Sequence, residues 1–472
     1  MPHLVWFRND LRTADNPALS AACSRSRTDN QPVRALFIIT PGQWREHDWS
    51  PARVRHMLGH LDDLGHSLAK LGIPLDILEG DDFAGSIRLL TDYCYQHGIR
   101  ALHFNDEYGI NERRRDKQVR DQLVKVEVAV NKYRDQTVAP VGTIRTGKDE
   151  PYSVFTPFSR RWRQWIEDTS PSILPVPDPT AEPCPWSAHG HTPEKLGFCA
   201  APPALVTPTE SGAHNQLESF LDERGGNYKA TRDFPAVDGT SLVSPYLAIG
   251  ALSGRQCLVA AREAQAHGGN QEGFTTWINE IAWRDFYIHI LYHYPRVSMH
   301  RAFKPETEAL RWNEPGEQFE AWKEGRTGIP IVDAAMRQLR ETGWMHNRLR
   351  MITAMFLSKN LFLDWRLGEA WFMQNLVDGF LASNNGGWQW SASTGTDAAP
   401  YFRVFNPVTQ SERFDPKGEF IRRWIPELAE LDNKRIHNPS AGGVIPGGYP
   451  RPIVDLKESR KEAIARFEAL KN

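Results

Sequence analysis

Residues 33–78 read VRALFIITPGQWREHDWSPARVRHMLGHLDDLGHSLAKLGIPLDIL. The runs 33–40 and 75–78 are short, apolar and rich in β-branched residues, which predicts two buried strands. Between them, residues 51–70 have the pattern of a helix, with Ser50 as its N-cap and Gly72 beyond its end. A strand, a helix and a second strand in this order predict a parallel βαβ unit.

The same alternation extends in both directions. Further strands are predicted at residues 4–7, 101–105 and 126–130, and helical patterns separate them. Residues from about 168 to 208 are rich in Pro, Ser and Ala, and helical patterns dominate beyond them. The predicted fold is therefore α/β plus all-α: a doubly wound parallel-sheet domain over 1–133, a long connector over 134–210 and an all-helical domain over 211–472.

Composition narrows the class of protein. The chain has 472 residues, a net charge of −2 and five scattered cysteines without a CxxC pair, which favours a reducing compartment. No apolar run is long enough to span a bilayer, and the N-terminus lacks the features of a signal peptide. We expect a cytoplasmic protein that is monomeric and makes no membrane contact. No GxGxxG or GxxxxGK follows a predicted strand, so the usual dinucleotide fingerprint and the P-loop are both missing.

Residues 238–245, DGTSLVSP, precede a helical pattern. Ser244 can cap this helix with Pro245 at its first position. The free backbone N–H groups there, together with the Thr240 and Ser241 hydroxyls, would suit a diphosphate. The alternative is an ordinary capped helix.

Residues 277–284, WINEIAWR, place a carboxylate among aromatic side chains. Helical spacing puts Trp277, Glu280, Trp283 and Arg284 near one face. Such a set is unusual for a plain core stripe, although an amphipathic helix with an ion pair would also explain it.

Gly343 stops one helix, and another helix follows it. On that second helix Asn347, Arg350 and Met351 share a side, whereas Arg348 lies elsewhere and serves a different partner. A solvated face is the alternative for the two arginines.

The run at residues 378–390, DGFLASNNGGWQW, is the most specific of the chain. Asn and Gly dominate it, so it is predicted to be a buried irregular loop. The backbone groups of such a loop must be satisfied somewhere, which points to a bound ligand.

These motifs, with WFRNDLR at residues 6–12 and the stretch 398–407, resemble the photolyase/cryptochrome flavoproteins. The resemblance covers nearly the whole chain and is strongest to bacterial class I cyclobutane-dimer photolyases. It implies an FAD bound in a U shape by the helical domain. The residues implied to contact FAD are Tyr228, Thr240, Ser241, Leu242, Val243, Ser244, Trp277, Asn347, Arg350, Asp378, Gly379, Phe380 and Asn384.

The resemblance also implies individual roles. Asn384 would lie near flavin N5, and Arg350 would form an ion pair with Asp378. Trp388, Trp365 and Trp312 match the tryptophans that relay an electron from the surface to the flavin, and core packing is their alternative role. One residue departs from the family pattern: Phe380 stands where the family commonly has a second Asp, and a phenyl ring cannot accept a hydrogen bond from the flavin edge.

The implied reaction is repair of cyclobutane pyrimidine dimers in DNA by light, with reduced FAD as the electron donor and the dimer flipped out of the duplex. Glu280 would bind the dimer, Trp283 and Trp390 would flank it, and Met351 would lie beneath it. Arg232, Arg348 and Arg403 would contact DNA phosphates. Asn347 and Met351 stand where the related (6-4) photolyases have His, which favours dimer repair. A cryptochrome photosensor and a light-independent flavin oxidoreductase are the alternatives.

A second, light-harvesting chromophore is also implied. Asn111 and Glu112 resemble the folate-contacting pair of related enzymes, so 5,10-methenyltetrahydrofolate is expected, with 8-hydroxy-5-deazaflavin as the alternative. Met299 stands where some folate-bearing relatives have Lys. An acidic helix start that is favoured by the helix dipole would equally explain Glu112.

Overall fold

The computed structural model describes residues 2–268, 270–442 and 444–471. Its strands form a parallel sheet in the order β3-β2-β1-β4-β5. A parallel sheet of this order with helical crossovers is a doubly wound α/β fold, as predicted. The strands are β1 (His3–Phe7), β2 (Val33–Ile39), β3 (Leu75–Glu79), β4 (Ala101–Asn105) and β5 (Ala129–Tyr133).

Helices fill the crossovers of the sheet and most of the chain beyond it. Those up to residue 293 are α1 (Pro17–Asp29), α2 (Pro41–Glu46), α3 (Pro51–Lys70), α4 (Phe83–Gln96), α5 (Ile110–Leu123), α6 (Phe155–Thr169), α7 (Glu210–Glu223), α8 (Tyr228–Thr231), α9 (Ser244–Ala248), α10 (Gly254–Ala266) and α11 (Gln271–His293). Those that follow are α12 (Glu317–Glu324), α13 (Pro330–Thr342), α14 (Asn347–Met355), α15 (Trp365–Met373), α16 (Leu381–Ala392), α17 (Pro407–Phe414), α18 (Glu419–Trp424) and α19 (Leu456–Glu468).

Contacts divide the chain into two compact units. The first unit consists of Met1–Gly226, Ser241–Pro295 and Val377–Gly379. The second consists of Asn227–Thr240, Arg296–Leu376 and Phe380–Asn472. Each unit is described by itself below.

In the first unit, one face of the sheet buries Leu4, Trp6, Leu36, Leu102 and Phe104 against α4 and α5. The predicted helix α3 begins as expected, because the Ser50 hydroxyl accepts a hydrogen bond from Arg53 N at 3.0 Å. The irregular chain after α6 runs along α3: Cys184 N donates to Ala69 O, and His189 bonds Leu58 O at 3.0 Å. The proline-rich segment is therefore ordered and packs along α3 at the surface of the unit.

The second unit is built around one large apolar core. Helices α12 to α16 and α18 contribute to it, and its largest buried side chains are Trp322, Trp365, Trp388, Phe372 and Phe420. Gly343, at φ +70°, ends α13 as predicted, because its N–H bonds Leu339 O in the left-handed conformation.

Two predicted elements differ in the structure. The last strand begins at Ala129 instead of 126, because residues 124–126 form a 3-10 turn that ends at Glu127 with φ 59°. The Asn/Gly run is the helix α16 and not an irregular loop. Tertiary contacts override the low helix propensity of this run: Asn385 and Gln389 are buried and hydrogen-bonded through their side chains.

Candidate active site

In the first unit, Ser244 does not cap a helix. Val243 is the N-cap of the short helix α9, and the Ser244 hydroxyl donates to Asp378 Oδ2 at 2.7 Å. The prediction that Ser244 caps a helix is therefore wrong, because the nearby carboxylate of Asp378 accepts the hydroxyl hydrogen. The segment before α9 is strained at Leu242, whose φ is +53° without a glycine. Non-glycine residues in this conformation are concentrated at ligand-binding segments.

Arg53 of α3 reaches the loop that carries Asp378, and the sequence analysis missed it. Its guanidinium donates to Gly379 O and, at 3.4 Å, to Asn9 Oδ1, and it lies 3.8 Å from the ring centroid of Trp49. Burial lowers the pKa of Arg53 to about 10, against the opposing effect of nearby carboxylates. A signal existed in the sequence: Arg53 falls on the apolar side of a helix, four residues before the buried Met57.

The long helix α11 presents three of the predicted residues. Trp277 is buried against Phe220, with the ring centroids 5.4 Å apart, and Glu280 is half-buried. Trp283 stacks on Phe155 at 3.5 Å with nearly parallel planes. A stacked indole with one face covered has a fixed orientation, so Trp283 can serve as a rigid wall.

Arg284, the fourth residue predicted for this face of α11, forms hydrogen bonds with backbone groups of other segments. Its guanidinium donates to the backbone oxygens of Gln136 and Leu247. Burial lowers the pKa of Arg284, although Asp285 and other acidic groups oppose this. Arg284 therefore holds the connector to α11.

In the second unit, α14 carries Asn347, Arg348, Arg350 and Met351 as predicted. Asn347 is exposed, and the other three are half-buried. His346 Nδ1 caps the helix by accepting from Arg348 N at 3.1 Å. The Arg350 Nε donates to Met345 O at 2.8 Å, which ties this guanidinium to its own helix start.

The three arginines predicted to contact DNA have different surroundings. Arg348 donates to Asp233 Oδ1 at 2.7 Å and lies over the ring of Phe414 at 4.3 Å. Arg232 is half-buried with its Nε 3.8 Å from the same Asp233 oxygen. Arg403 is exposed. The neighbouring residue Tyr228 lies beneath the Arg232 guanidinium, 5.7 Å from it.

Helix α16 holds Asn384 by a chain of amide hydrogen bonds. Asn384 Nδ2 donates to Glu369 O at 3.0 Å, and Asn385 Nδ2 donates to Glu369 Oε1 at 2.8 Å. Gln389 Nε2 in turn donates to Asn385 Oδ1 at 2.9 Å. The donor end of the Asn384 amide is thus fixed on α15, which leaves its oxygen as the acceptor end. Glu369, a buried carboxylate that orders this chain of hydrogen bonds, was not predicted from the sequence.

The three predicted relay tryptophans belong to the core of the second unit. Trp365 and Trp388 are fully buried, and Trp312 is partly buried. Trp388 meets Phe372 edge to face at 4.9 Å and is contacted closely by Gly368 of α15. In the described part of the chain, the Trp388 Nε1–H is buried without a hydrogen-bond partner. Burial thus decreases from Trp388 and Trp365 to Trp312.

Phe380 and Trp390 lie at opposite ends of the same helix. Both are half-buried, and Phe380 is the N-cap residue, with φ −132° and no side-chain cap. Its backbone oxygen accepts from Asn384 N at 2.9 Å.

The predicted chromophore residues Asn111 and Glu112 lie at the start of α5 in the first unit. His47, the residue that follows α2, bonds Asn111 Nδ2 at 3.1 Å and lies 3.5 Å from Glu112 Oε1. Burial, and then the charge of Glu107, raises the pKa of Glu112 to about 7. The sequence analysis missed His47.

Beside this cluster, a crevice of about 40 Å³ lies at the carboxyl ends of β1, β2 and β4. Ligands of doubly wound sheets bind at this edge. Large side chains line the crevice: Arg8 lies 4.4 Å over Trp6, and Arg115 lies 4.6 Å over Phe83.

The described residues contain neither a membrane-spanning helix nor a cluster suited to a metal ion. No helix in residues 2–268, 270–442 and 444–471 is long and apolar enough to cross a membrane. The same part of the chain holds no group of three His, Cys, Asp or Glu side chains suited to a metal ion.

Family models match most of the chain. The model of DNA photolyase matches residues 3–180, and the model of the FAD binding domain of DNA photolyase matches residues 277–469. A deoxyribodipyrimidine photo-lyase of Escherichia coli (strain K12) is 45% identical over 99% of this chain and 98% of its own length. The chain belongs to the DNA photolyase family.

Solved structures agree with this membership of the photolyase family. A class III photolyase from Agrobacterium tumefaciens has a TM-score of 0.88 and 34% identity, covering 100% of this chain and 98% of its own. An archaeal photolyase from Sulfolobus tokodaii, solved with two FAD molecules, has a TM-score of 0.81 and 30% identity, covering 99% and 100%. The predicted family and fold class are confirmed.

Proposed function

We propose that this photolyase-family protein repairs cyclobutane pyrimidine dimers in DNA under light as a deoxyribodipyrimidine photo-lyase. The observation that carries the proposal is the full-length similarity to the Escherichia coli enzyme of that name. The local arrangement supports it, because Glu280 is half-buried on the same helix as the stacked indole of Trp283. A polar group beside a rigid aromatic wall suits a flipped-out pyrimidine pair.

The residues present fit FAD. In the first unit, Ser244 and Asp378 are hydrogen-bonded to each other, Trp277 is buried on α11, and Leu242 holds a backbone conformation suited to close ligand approach. In the second unit, the Asn384 oxygen is an oriented acceptor for a ring N–H. When bound and reduced, FAD supplies the electron that light delivers to the dimer. Tyr228, Thr240, Ser241, Val243, Asn347, Arg350, Gly379 and Phe380 complete the proposed FAD set.

The protein's own groups would then hold the substrate. Glu280 would hydrogen-bond the dimer, Trp283 and Trp390 would exclude water along its apolar sides, and Met351 would pack beneath it. Because an ion–dipole hydrogen bond in a desolvated site is stronger than a neutral one, Glu280 is the residue with the largest expected effect.

DNA binding would rest on Arg232, Arg348 and Arg403, which contact phosphates and carry no sequence preference. Electron supply from the surface would pass through Trp312, Trp365 and Trp388. Their graded burial supports this order, because only the outermost ring needs contact with solvent reductants.

For the second chromophore we propose a folate held by Asn111 and Glu112, with His47 as an additional contact. The alternatives are an 8-hydroxy-5-deazaflavin and a second flavin, since the Sulfolobus protein was solved with two FAD molecules. The absorption spectrum of the chromophore released by denaturation distinguishes these ligands.

The experiment for the main proposal measures repair of a thymine dimer in duplex DNA by the FAD-loaded, reduced protein in blue light and in darkness. We expect repair in light alone. Glu280→Gln should reduce the repair rate about tenfold or more, given about 1.5–3 kcal/mol for a hydrogen bond to a charged group. Glu272→Gln, an exposed change at the start of the same helix, should leave the rate unchanged. Equal repair in darkness would refute the proposal.

A further inference from the structure

The Asp233 carboxylate lies close to two of the arginines that are proposed to bind DNA phosphates. Its Oδ1 is 2.7 Å from Arg348 Nη2 and 3.8 Å from Arg232 Nε. The Asp233 side chain is 35% exposed, so this pair lies at the edge of the protein surface and can be reached by DNA. Asp233 is thus a local anion at the position where the proposed function needs a phosphate.

The surroundings of Arg348 hold it in this pair. Its guanidinium carbon lies 4.3 Å from the ring centroid of Phe414, which in turn contacts Phe234, the residue after Asp233. The Arg348 side chain is 16% exposed, and its Nε is buried without a hydrogen-bond partner in the described structure. The Asp233 carboxylate and the Phe414 ring therefore account for the position of this guanidinium.

We propose that Asp233 competes with DNA phosphate for Arg348 and Arg232 and thereby limits the strength of sequence-independent DNA binding. The inference rests on the proposed function, since it takes these arginines as phosphate ligands. A phosphate that approaches Arg348 must displace Asp233, and the released carboxylate then repels the DNA backbone. Both effects weaken phosphate contact, so a dimer in the substrate pocket contributes a larger share of the binding.

The opposite role is physically reasonable and predicts the opposite sign. A carboxylate can also pre-orient an arginine for its ligand, and its removal would then weaken binding. The geometry favours competition, because Asp233 bonds the terminal Nη2 group, which is the end of the side chain that a phosphate would use.

The test measures equilibrium binding of FAD-loaded wild type and Asp233→Asn to a duplex with a single thymine dimer and to the same duplex undamaged, over a range of salt. We expect Asp233→Asn to bind both duplexes about fivefold more tightly, as for loss of a partly exposed ion-pair competitor. The slope of log affinity against log salt should become steeper by up to about one.

Two further variants make the test specific. Glu314→Gln removes one negative charge from an exposed position of the same unit and should change affinity much less. In an Arg348→Ala background the effect of Asp233→Asn should shrink, because the main competitor pair is gone. Unchanged or weaker binding by Asp233→Asn, with normal FAD content and melting temperature, would overturn the inference.

The outcome also separates this inference from the proposed function. If wild type neither binds the dimer duplex more tightly than the undamaged one nor repairs it in light, the proposed function fails. If wild type does both and Asp233→Asn gains no affinity, the inference alone is wrong.

Discussion

Phe380 combines two roles that the sequence could not separate. It occupies the N-cap of α16, where Asp, Asn and Ser are preferred and Phe satisfies no backbone N–H. The family resemblance also assigns this position to the polar edge of the flavin. Replacement by a carboxylate therefore has consequences for the helix and for the ligand.

We expect Phe380→Asp to stabilise the apo-protein by about 0.5–2 kcal/mol, because its side chain can cap the first turn of α16. It should also tighten FAD binding, by up to about 1–3 kcal/mol if a buried flavin N–H gains its acceptor. Thermal unfolding of apo-protein and FAD titration measure the two effects. Phe380→Asp should also lower the flavin midpoint potential, because a carboxylate beside the ring disfavours the anionic reduced form. Phe380→Asn should reproduce the capping gain without lowering this potential. Weaker FAD binding by the Asp variant would show that the pocket has repacked around the ring.

Glu112 provides a prediction about pH. Its pKa is raised to about 7, so between about pH 4.5 and 7 the folded protein keeps a proton that the unfolded chain has lost. The free energy of unfolding must then fall as pH rises through this window. Glu112→Gln removes the titration, so its melting temperature relative to wild type should be higher at pH 8 than at pH 5. The exposed Glu182→Gln should show no such trend, and a flat difference for Glu112→Gln would contradict the assigned shift.

Among the secondary-structure elements, those with a strong local pattern were predicted and those fixed by tertiary contacts were not. The α3 helix and the first four strands followed from periodicity and capping. The α16 helix did not, because its Asn and Gln side chains are satisfied by Glu369 and by each other, which no local rule reveals. Asp233 was missed for the same reason, because Arg348, its hydrogen-bonded partner, is far away in sequence. Gly379, the partner of Arg53, is also distant, although the place of Arg53 on the apolar side of α3 was a local signal.

The packing of α15 against α16 yields a matched pair of glycine variants. A Cβ on Gly368 would lie 2.0 Å from Trp388 Cη2, whereas a Cβ on Gly387 would meet open space. Gly368→Ala should therefore displace the Trp388 ring, destabilise the protein by about 1–3 kcal/mol and slow photoreduction of oxidised FAD. Gly387→Ala should be neutral or stabilising by up to about 1 kcal/mol, with normal photoreduction. Normal photoreduction in Gly368→Ala would contradict the prediction that the position of the Trp388 ring controls the electron supply to FAD.

For the whole molecule, chain-distant charges hold the first unit together. Arg255 of α10 bonds Asp15 Oδ2 at 3.0 Å and Asp135 Oδ1 at 2.7 Å, and Asp135 also bonds Arg12. Although burial of the carboxyl group acts in the opposite direction, the charges of Arg12 and Arg255 lower the pKa of Asp135. The α10 helix therefore completes a unit that begins at the N-terminal sheet, and the predicted boundary at residue 133 does not separate these charges.

The last prediction compares two arginines of α10. Arg255→Met removes the guanidinium that bonds the buried carboxylates of Asp15 and Asp135. Arg12 still bonds Asp135 and the Ser253 hydroxyl still bonds Asp15, so the free energy of unfolding should fall by about 3 kcal/mol, the lower end of the range for a broken buried ion pair. Arg262→Met removes an exposed pair with Glu167 and should cost about 1 kcal/mol or less. Denaturant unfolding, followed by tryptophan fluorescence, measures both. Arg255→Lys should recover part of the loss, because one ammonium can neutralise the carboxylates but cannot donate to both in the fork geometry of a guanidinium. Equal losses for Arg255→Met and Arg262→Met would mean that the buried cluster adds nothing to the cohesion of the unit, and that its desolvation cost cancels its Coulomb attraction.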